Sequence, residues 1–142
     1  PTANGRGRLV PAAYQPPGEP VDDDYPMVLT TGLQLEHWHT GAMTRRAGVL
    51  DAIEPAAIAC LSPADLAPLG LEGGDRIRVE TRRGVIETTV RVDGAVPKGM
   101  VFIPFCYAEA AANILTSPLL DPVGKIPEFK YCAAKVERAE AE

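Results

Sequence analysis

Asp75-Arg76-Ile77-Arg78-Val79-Glu80-Thr81 alternates polar and apolar residues, and after Arg82-Arg83-Gly84 the run Val85-Ile86-Glu87-Thr88-Thr89-Val90-Arg91-Val92 returns with the same period of two. Side chains two apart in extended backbone share a face, so each run has one buried and one solvated side, with Ile86, Thr88, Val90 and Val92 on a single face. Together they read as an antiparallel hairpin. Outward from it lie three more apolar, β-rich segments: Met27–Thr31 closed by Gly32, Ala57–Leu61, and Met100–Phe105, which is the most apolar run. Tyr131–Val136 supplies a last strand. Six strands of this length bury their edges most economically by closing into a small barrel.

Short helices fill the gaps. Ser62-Pro63-Ala64-Asp65 is a helix start, with a hydroxyl to cap free amides, proline at the first helical position and an acid at the positive end of the dipole; Gly70 ends it. A second short helix is predicted over Glu109–Leu115, ended by Thr116-Ser117-Pro118, and a helical turn within 33–55. Residues 1–25 carry prolines 1, 11, 16, 17 and 20 and read as an extended lead-in that wraps the barrel or belongs to a preceding domain, with Arg8-Leu9-Val10 as a short edge strand. The barrel is expected over 26–138 and a disordered tail over 139–142. The fold class is therefore mainly β with short helices.

Thirteen glycines and fourteen prolines among 142 residues, about 19% against a usual ~12%, argue against a helical bundle. The 46% hydrophobic content argues against disorder. A net charge of −5 disfavours a nucleic-acid partner, and no apolar run is long enough to span a bilayer. Cys60, Cys106 and Cys132 are odd in number and widely spaced, as expected of reduced thiols and not of a zinc site or disulfide framework. The chain opens Pro1-Thr2-Ala3 without an initiator Met, and the expectation is a trimmed piece of something larger.

Four places can carry chemistry. His37 and His39 share a face if the backbone is extended and could then reach one metal, but no third or fourth ligand is evident; loop histidines bonded to backbone or to a ligand are the alternative. Gly32, Thr40, Gly41, Thr44, Arg45 and Arg46 have the composition of an anion-cradling loop, or else of a polar surface loop. Asn113 either turns the backbone or reads a base edge or a pterin amide, having donor and acceptor together. Lys130 is a phosphate or carbonyl partner, or a solvated charge. No nucleophile–base grouping or carboxylate pair forms a self-sufficient active site, so no catalytic residue and no metal ligand is assigned.

Three blocks carry a resemblance. Thr30-Thr31-Gly32 with Glu36-His37-Trp38-His39-Thr40-Gly41-Ala42-Met43-Thr44-Arg45-Arg46, then Ala110–Thr116 with Asp121-Pro122, then Lys125–Ala133, resemble the molybdopterin dinucleotide-binding domain found at the C-terminus of molybdenum and tungsten oxidoreductases. Within that family the chain is most similar to the catalytic (alpha) subunit of formate dehydrogenases, with nitrate reductases as nearest rivals and a non-enzymatic assembly module with a vestigial pocket as the third reading. The resemblance implies a double-psi β-barrel. It also implies bis-molybdopterin guanine dinucleotide with molybdenum or tungsten, shared with other domains of the parent enzyme. It places Thr31, Gly32, Leu33, His37, His39, Thr40, Gly41 and Arg45 of the first block, Asn113 of the second, and Phe129 and Lys130 of the third near the cofactor. Leu33 departs from the family pattern, where many relatives have Arg; either the phosphate or pterin contact expected there is missing, or Arg45 or Arg46 replaces it. The metal ligand and substrate residues belong to earlier domains. Implied partners are those domains and iron–sulfur or electron-transfer subunits, in a cytoplasmic enzyme whose export is left open.

Overall fold

In the computed structural model, which describes residues 2–140, the alternating segments form strands β1 (Met27–Gly32), β2 (Ile58–Leu61), β3 (Arg76–Thr81), β4 (Gly84–Val92), β5 (Met100–Pro104) and β6 (Cys132–Arg138). They close in the order β1-β5-β2-β4-β3-β6. The pairs β1/β5 and β2/β4 are parallel and the remaining four are antiparallel. Two parallel pairs embedded in a closed six-stranded barrel are the double-psi arrangement.

Alternation supplies the core. Leu29, Leu61, Ile77, Val79 and Val101 are fully buried inside the barrel, with Leu115 and Cys132 plugging one end. Val92, grouped above with Ile86, Thr88 and Val90, is 46% exposed because it lies at the last rung of β4. Gly84 is the first residue of β4 and pairs with Thr81, so the turn is only Arg82-Arg83.

Helix α1 spans Gly48–Ile53 in the long β1–β2 connection, and α2 spans Pro63–Leu69. The Ser62 side chain accepts from the Asp65 N–H, Pro63 opens the helix, and Gly70 ends it at φ +63°. The Asp65 carboxylate also accepts the Gly99 N–H, at 2.9 and 3.0 Å from its two oxygens, tying α2 to the start of β5.

Two local expectations fail. Arg8-Leu9-Val10 forms no strand: Leu9 is 97% exposed, a closed barrel offers no open edge to pair with, and Pro11 withholds a donor. Glu109–Leu115 is not one helix but two 3-10 turns, Ala108–Ala110 and Ala112–Ile114, separated because Ala111 is extended (φ −67°, ψ 98°). β6 runs past Val136 to Arg138, and the Ala139 N–H still bonds to Arg76 O. Of the tail expected at 139–142, Ala141 and Glu142 lie outside the described residues, as does Pro1.

Candidate cofactor-binding site

Because β1 and β5 are parallel neighbours, with Gly32 opposite Pro104, both chains leave the barrel at the same end, side by side. β3 also ends there and β6 begins there. A Cβ on Gly32 would collide with the Phe102 ring of β5, so glycine is what lets that ring cross the strand. The three blocks singled out above are thus the segment after β1, the segment after β5 and the segment before β6.

Between them opens a pocket of about 580 Å³, lined by Thr31, Thr40, Phe105, Tyr107, Ala108, Ala111, Asn113, Thr116, Pro127 and Phe129. That is the size and character of a small-molecule site, with mostly apolar walls and few polar points. Thr31 donates through its hydroxyl to Phe129 O (2.7 Å), and Lys130 Nζ donates to Thr31 O, so the third block is pinned to the end of β1. Lys130 also lies 5.2 Å from the Phe129 ring centroid. Thr116 bonds to Asn113 O, which shapes the turn, while among the described residues the Asn113 carboxamide has no hydrogen-bond partner.

Tyr107 organises the wall. It is 1% exposed; its hydroxyl donates to Glu54 O (3.1 Å), and Gln34 Oε1 lies 3.3 Å away. His37 Nε2 lies 2.8 Å from the same Glu54 carbonyl, and since a carbonyl only accepts, this nitrogen carries the proton. The imidazole stands edge-on to the Tyr107 ring at 5.7 Å. The Arg91 guanidinium, 2.7 Å away, holds the Glu54 carboxyl below the usual carboxylate range and anchors this end of the loop to β4.

Burial pushes the Tyr107 phenol up to about 12, aided by nearby Cys106 and Glu54, from an ordinary 10.0. The unfolded chain therefore loses this proton first, and Tyr107's contribution to stability is full below pH 10 and drains away as pH rises toward 12. Alkaline unfolding of the chain is expected to become shallower over that window in Tyr107→Phe, measured as the denaturation midpoint against pH.

Of the eleven expected residues, the pocket wall contains Thr31, Thr40, Asn113 and Phe129. Lys130 bonds the carbonyl of the lining residue Thr31, and Gly32 follows Thr31 in β1. Leu33, half exposed, follows directly on Gly32. The two histidines diverge: His37 is buried against Tyr107, whereas His39 is exposed at φ +50°, edge-on to Trp38 and 6.5 Å from Phe105. No group of three or more metal-ligating side chains occurs among the described residues. Arg45 does not point a free guanidinium at the pocket. It bonds Asp51 (2.6 Å) and Glu109 (3.0 Å), reaches Pro55 O, and lies 4.7 Å above the Tyr107 ring. Burial opposes its charge, and the two carboxylates overcome that and raise its pKa. Arg45 thereby cross-links the segments after β1 and β5. Gly41, at φ +73°, lets that cross-link pack closely.

Of the other lining residues, Ala111, Thr116 and Pro127 lie inside the second and third blocks without having been named as site residues, and Phe105, Tyr107 and Ala108 lie outside all three blocks. The available signal was topological: whatever follows β5 must emerge beside whatever follows β1.

The family model described as the Molydopterin (molybdopterin) dinucleotide binding domain matches residues 27–133, from the first residue of β1 into β6. The chain belongs to this family. The domain is 44% identical over 138 residues to the F420-dependent formate dehydrogenase subunit alpha of Methanocaldococcus jannaschii. It is 43% identical over 138 residues to the F420-dependent formate dehydrogenase 1 subunit alpha of Methanococcus maripaludis. Each match covers 96% of the domain and 20% of the relative, so the chain spans about a fifth of the length of these curated relatives. Among solved structures, acetylene hydratase from Pelobacter acetylenicus superposes with a TM-score of 0.73 at 26% identity, covering 82% of the domain and 19% of that chain.

Proposed function

We propose that the domain holds molybdopterin guanine dinucleotide in the catalytic subunit of a formate dehydrogenase whose other domains supply the metal ligand and the substrate-facing groups. The observation that carries this reading is the pocket itself. All three family blocks converge on one amphipathic cavity at the end of the parallel β1/β5 pair. The identity to two formate dehydrogenase alpha subunits supports the substrate.

The lining fits a flat, amide-bearing heterocycle. Phe105 and Phe129 offer apolar ring surfaces for it to pack on, with buried Tyr107 behind them in the wall. The Asn113 carboxamide offers a donor and an acceptor to its edge. Thr40 supplies a hydroxyl for a diphosphate, a role that neither the Thr116 hydroxyl, whose proton goes to Asn113 O, nor the guanidinium of Arg45 is free to take. Bound cofactor, carrying molybdenum or tungsten, supplies two-electron redox chemistry that no residue of this chain provides. The chain's own work is to bind, orient and exclude water. Implied partners are the preceding domains of the subunit and iron–sulfur electron-transfer proteins. The three free, buried cysteines support a cytoplasmic parent.

In the full-length parent enzyme, Asn113→Ala and Phe129→Ala are each expected to lower cofactor retained after gel filtration by about tenfold, the scale of one lost polar anchor or stacking surface. The readouts are molybdenum and tungsten per polypeptide and the nucleotide released on hydrolysis; unchanged retention in both variants contradicts the reading. Turnover of formate against nitrate by the same preparation separates the two substrate classes.

A further inference from the structure

The segment of 16 residues between Leu115 and Cys132 contributes Thr116, Pro127 and Phe129 to the pocket, yet contains no strand or helix of its own. Its two ends meet directly, with the Ser117 N–H on Cys132 Sγ (3.1 Å) and the Glu128 N–H on Leu119 O (2.9 Å), and side chains from elsewhere join them a second time. At the near end the carbonyl of fully buried Leu115 accepts from Arg83 Nε and from the Thr81 hydroxyl, both at 3.0 Å. Arg83 belongs to the β3–β4 turn, and its two terminal nitrogens meet the two carboxylate oxygens of Glu19. Glu19 in turn accepts the N–H of Ala133, at the far end, at 3.0 Å. The path Leu115 carbonyl, Arg83, Glu19, Ala133 amide is therefore continuous. Both side chains in it are more than four-fifths shielded from solvent.

We propose that Glu19, from the extended lead-in, and Arg83 are positioning residues that clamp together the two ends of the pocket's third segment and so set the place of Pro127 and Phe129.

Neighbouring contacts support the same role. Gly18 N–H donates to Glu128 Oε1, next to Phe129, and Gly18 lies so close to Leu119 that a Cβ would collide with it. Asp22 pairs with Arg82, whose guanidinium sits 4.5 Å above the Tyr25 ring, so the lead-in is seated on both sides of Glu19. Burial disfavours the Glu19 charge, and the bonds from Arg83 and the Ala133 N–H more than offset it, leaving its carboxyl below the usual range. A forked guanidinium that grips a carboxylate with two nitrogens while its Nε reaches a carbonyl has a geometry that lysine does not reproduce.

This inference rests on the reading of the pocket as a cofactor site, and its test separates the two. In the full-length parent, Glu19→Gln, Arg83→Ala and Arg83→Lys are compared with Asp65→Asn, which loosens the opposite end of the barrel. Two quantities are read: hydrogen–deuterium exchange of the cofactor-free protein, and the rate of cofactor release from the loaded protein. The clamp predicts faster exchange in residues 115–117 and 127–133 in all three clamp variants, Arg83→Lys included, and release about tenfold faster, as for loss of one charge-assisted bond. Asp65→Asn is expected to lower the melting temperature without changing either quantity. Unchanged exchange in Glu19→Gln, or release that follows melting temperature equally in Asp65→Asn, overturns the clamp. If Asn113→Ala and Phe129→Ala also leave release unchanged while exchange rises as predicted in the clamp variants, the clamp stands and the cofactor reading fails.

Discussion

Tyr107→Ala is expected to destabilise the chain by roughly 3–5 kcal/mol, the range for removing a large buried aromatic side chain, and to abolish cofactor retention in the parent enzyme. The side chain is buried to 1% exposure and does four things at once. It walls the pocket, bonds the Glu54 carbonyl, supports the guanidinium of Arg45 and packs on the edge of His37. Alanine leaves a void under the wall and takes the aromatic support from Arg45. Tyr107→Phe separates the parts, because it keeps the ring and removes only the hydroxyl. Glu54 O still accepts from His37, so the cost is expected to be about 1 kcal/mol. Urea midpoints of the three proteins, with metal content of the corresponding parents, check both effects. Equal midpoints for wild type and Tyr107→Ala would contradict the arrangement.

Gly41→Ala ranks second. At φ +73° an alanine pays the left-handed penalty of about 1–2 kcal/mol. Its Cβ would also lie 2.5 Å from Arg45 Cγ and 2.9 Å from the Cys106 backbone carbonyl. Neither neighbour gives way easily: Arg45 is held by Asp51 and Glu109, and Cys106 O is main chain beside buried Tyr107. The combined cost is expected to be roughly 2–4 kcal/mol. The relief available is separation of the segments after β1 and β5, which widens the pocket. The expected signature is a lowered melting temperature together with faster cofactor release, whereas Gly94→Ala, in a turn where a Cβ meets nothing, is expected to change neither.

These residues also mark how far the sequence could be read. The strands were legible because their alternation has a physical cause, the two faces of a closing sheet, and that pattern holds from Arg76 to Val92. The Ser62 start and Gly70 stop of α2 were legible because capping is local. Arg8-Leu9-Val10 has the composition of a strand but no partner, and pairing is not a local property. Residues 109–115 have helical composition, yet Ala111 is extended, which splits them into two short turns.

The site divides in the same way. Thr31, Thr40, Asn113 and Phe129 stand in recognisable blocks and line the pocket. His37 and Arg45 were conspicuous for the right chemistry and turn out to serve the protein's own loops. The partners that occupy Arg45, Asp51 and Glu109, lie 6 and 64 positions away. Tyr107 and Phe105 carried no motif in this reading; they reach the pocket only because β5 runs parallel to β1. The Glu19–Arg83 pair, 64 positions apart, was equally invisible without the fold.

The central claim, that the end of the barrel bearing the three blocks holds the cofactor, is tested most directly by hydrogen–deuterium exchange of the full-length parent with and without bound cofactor. Protection is predicted in residues 31–46, 105–116 and 127–131, with no change in residues 62–73 around α2 at the opposite end. Protection confined to residues 62–73, or none anywhere in this domain, would contradict it.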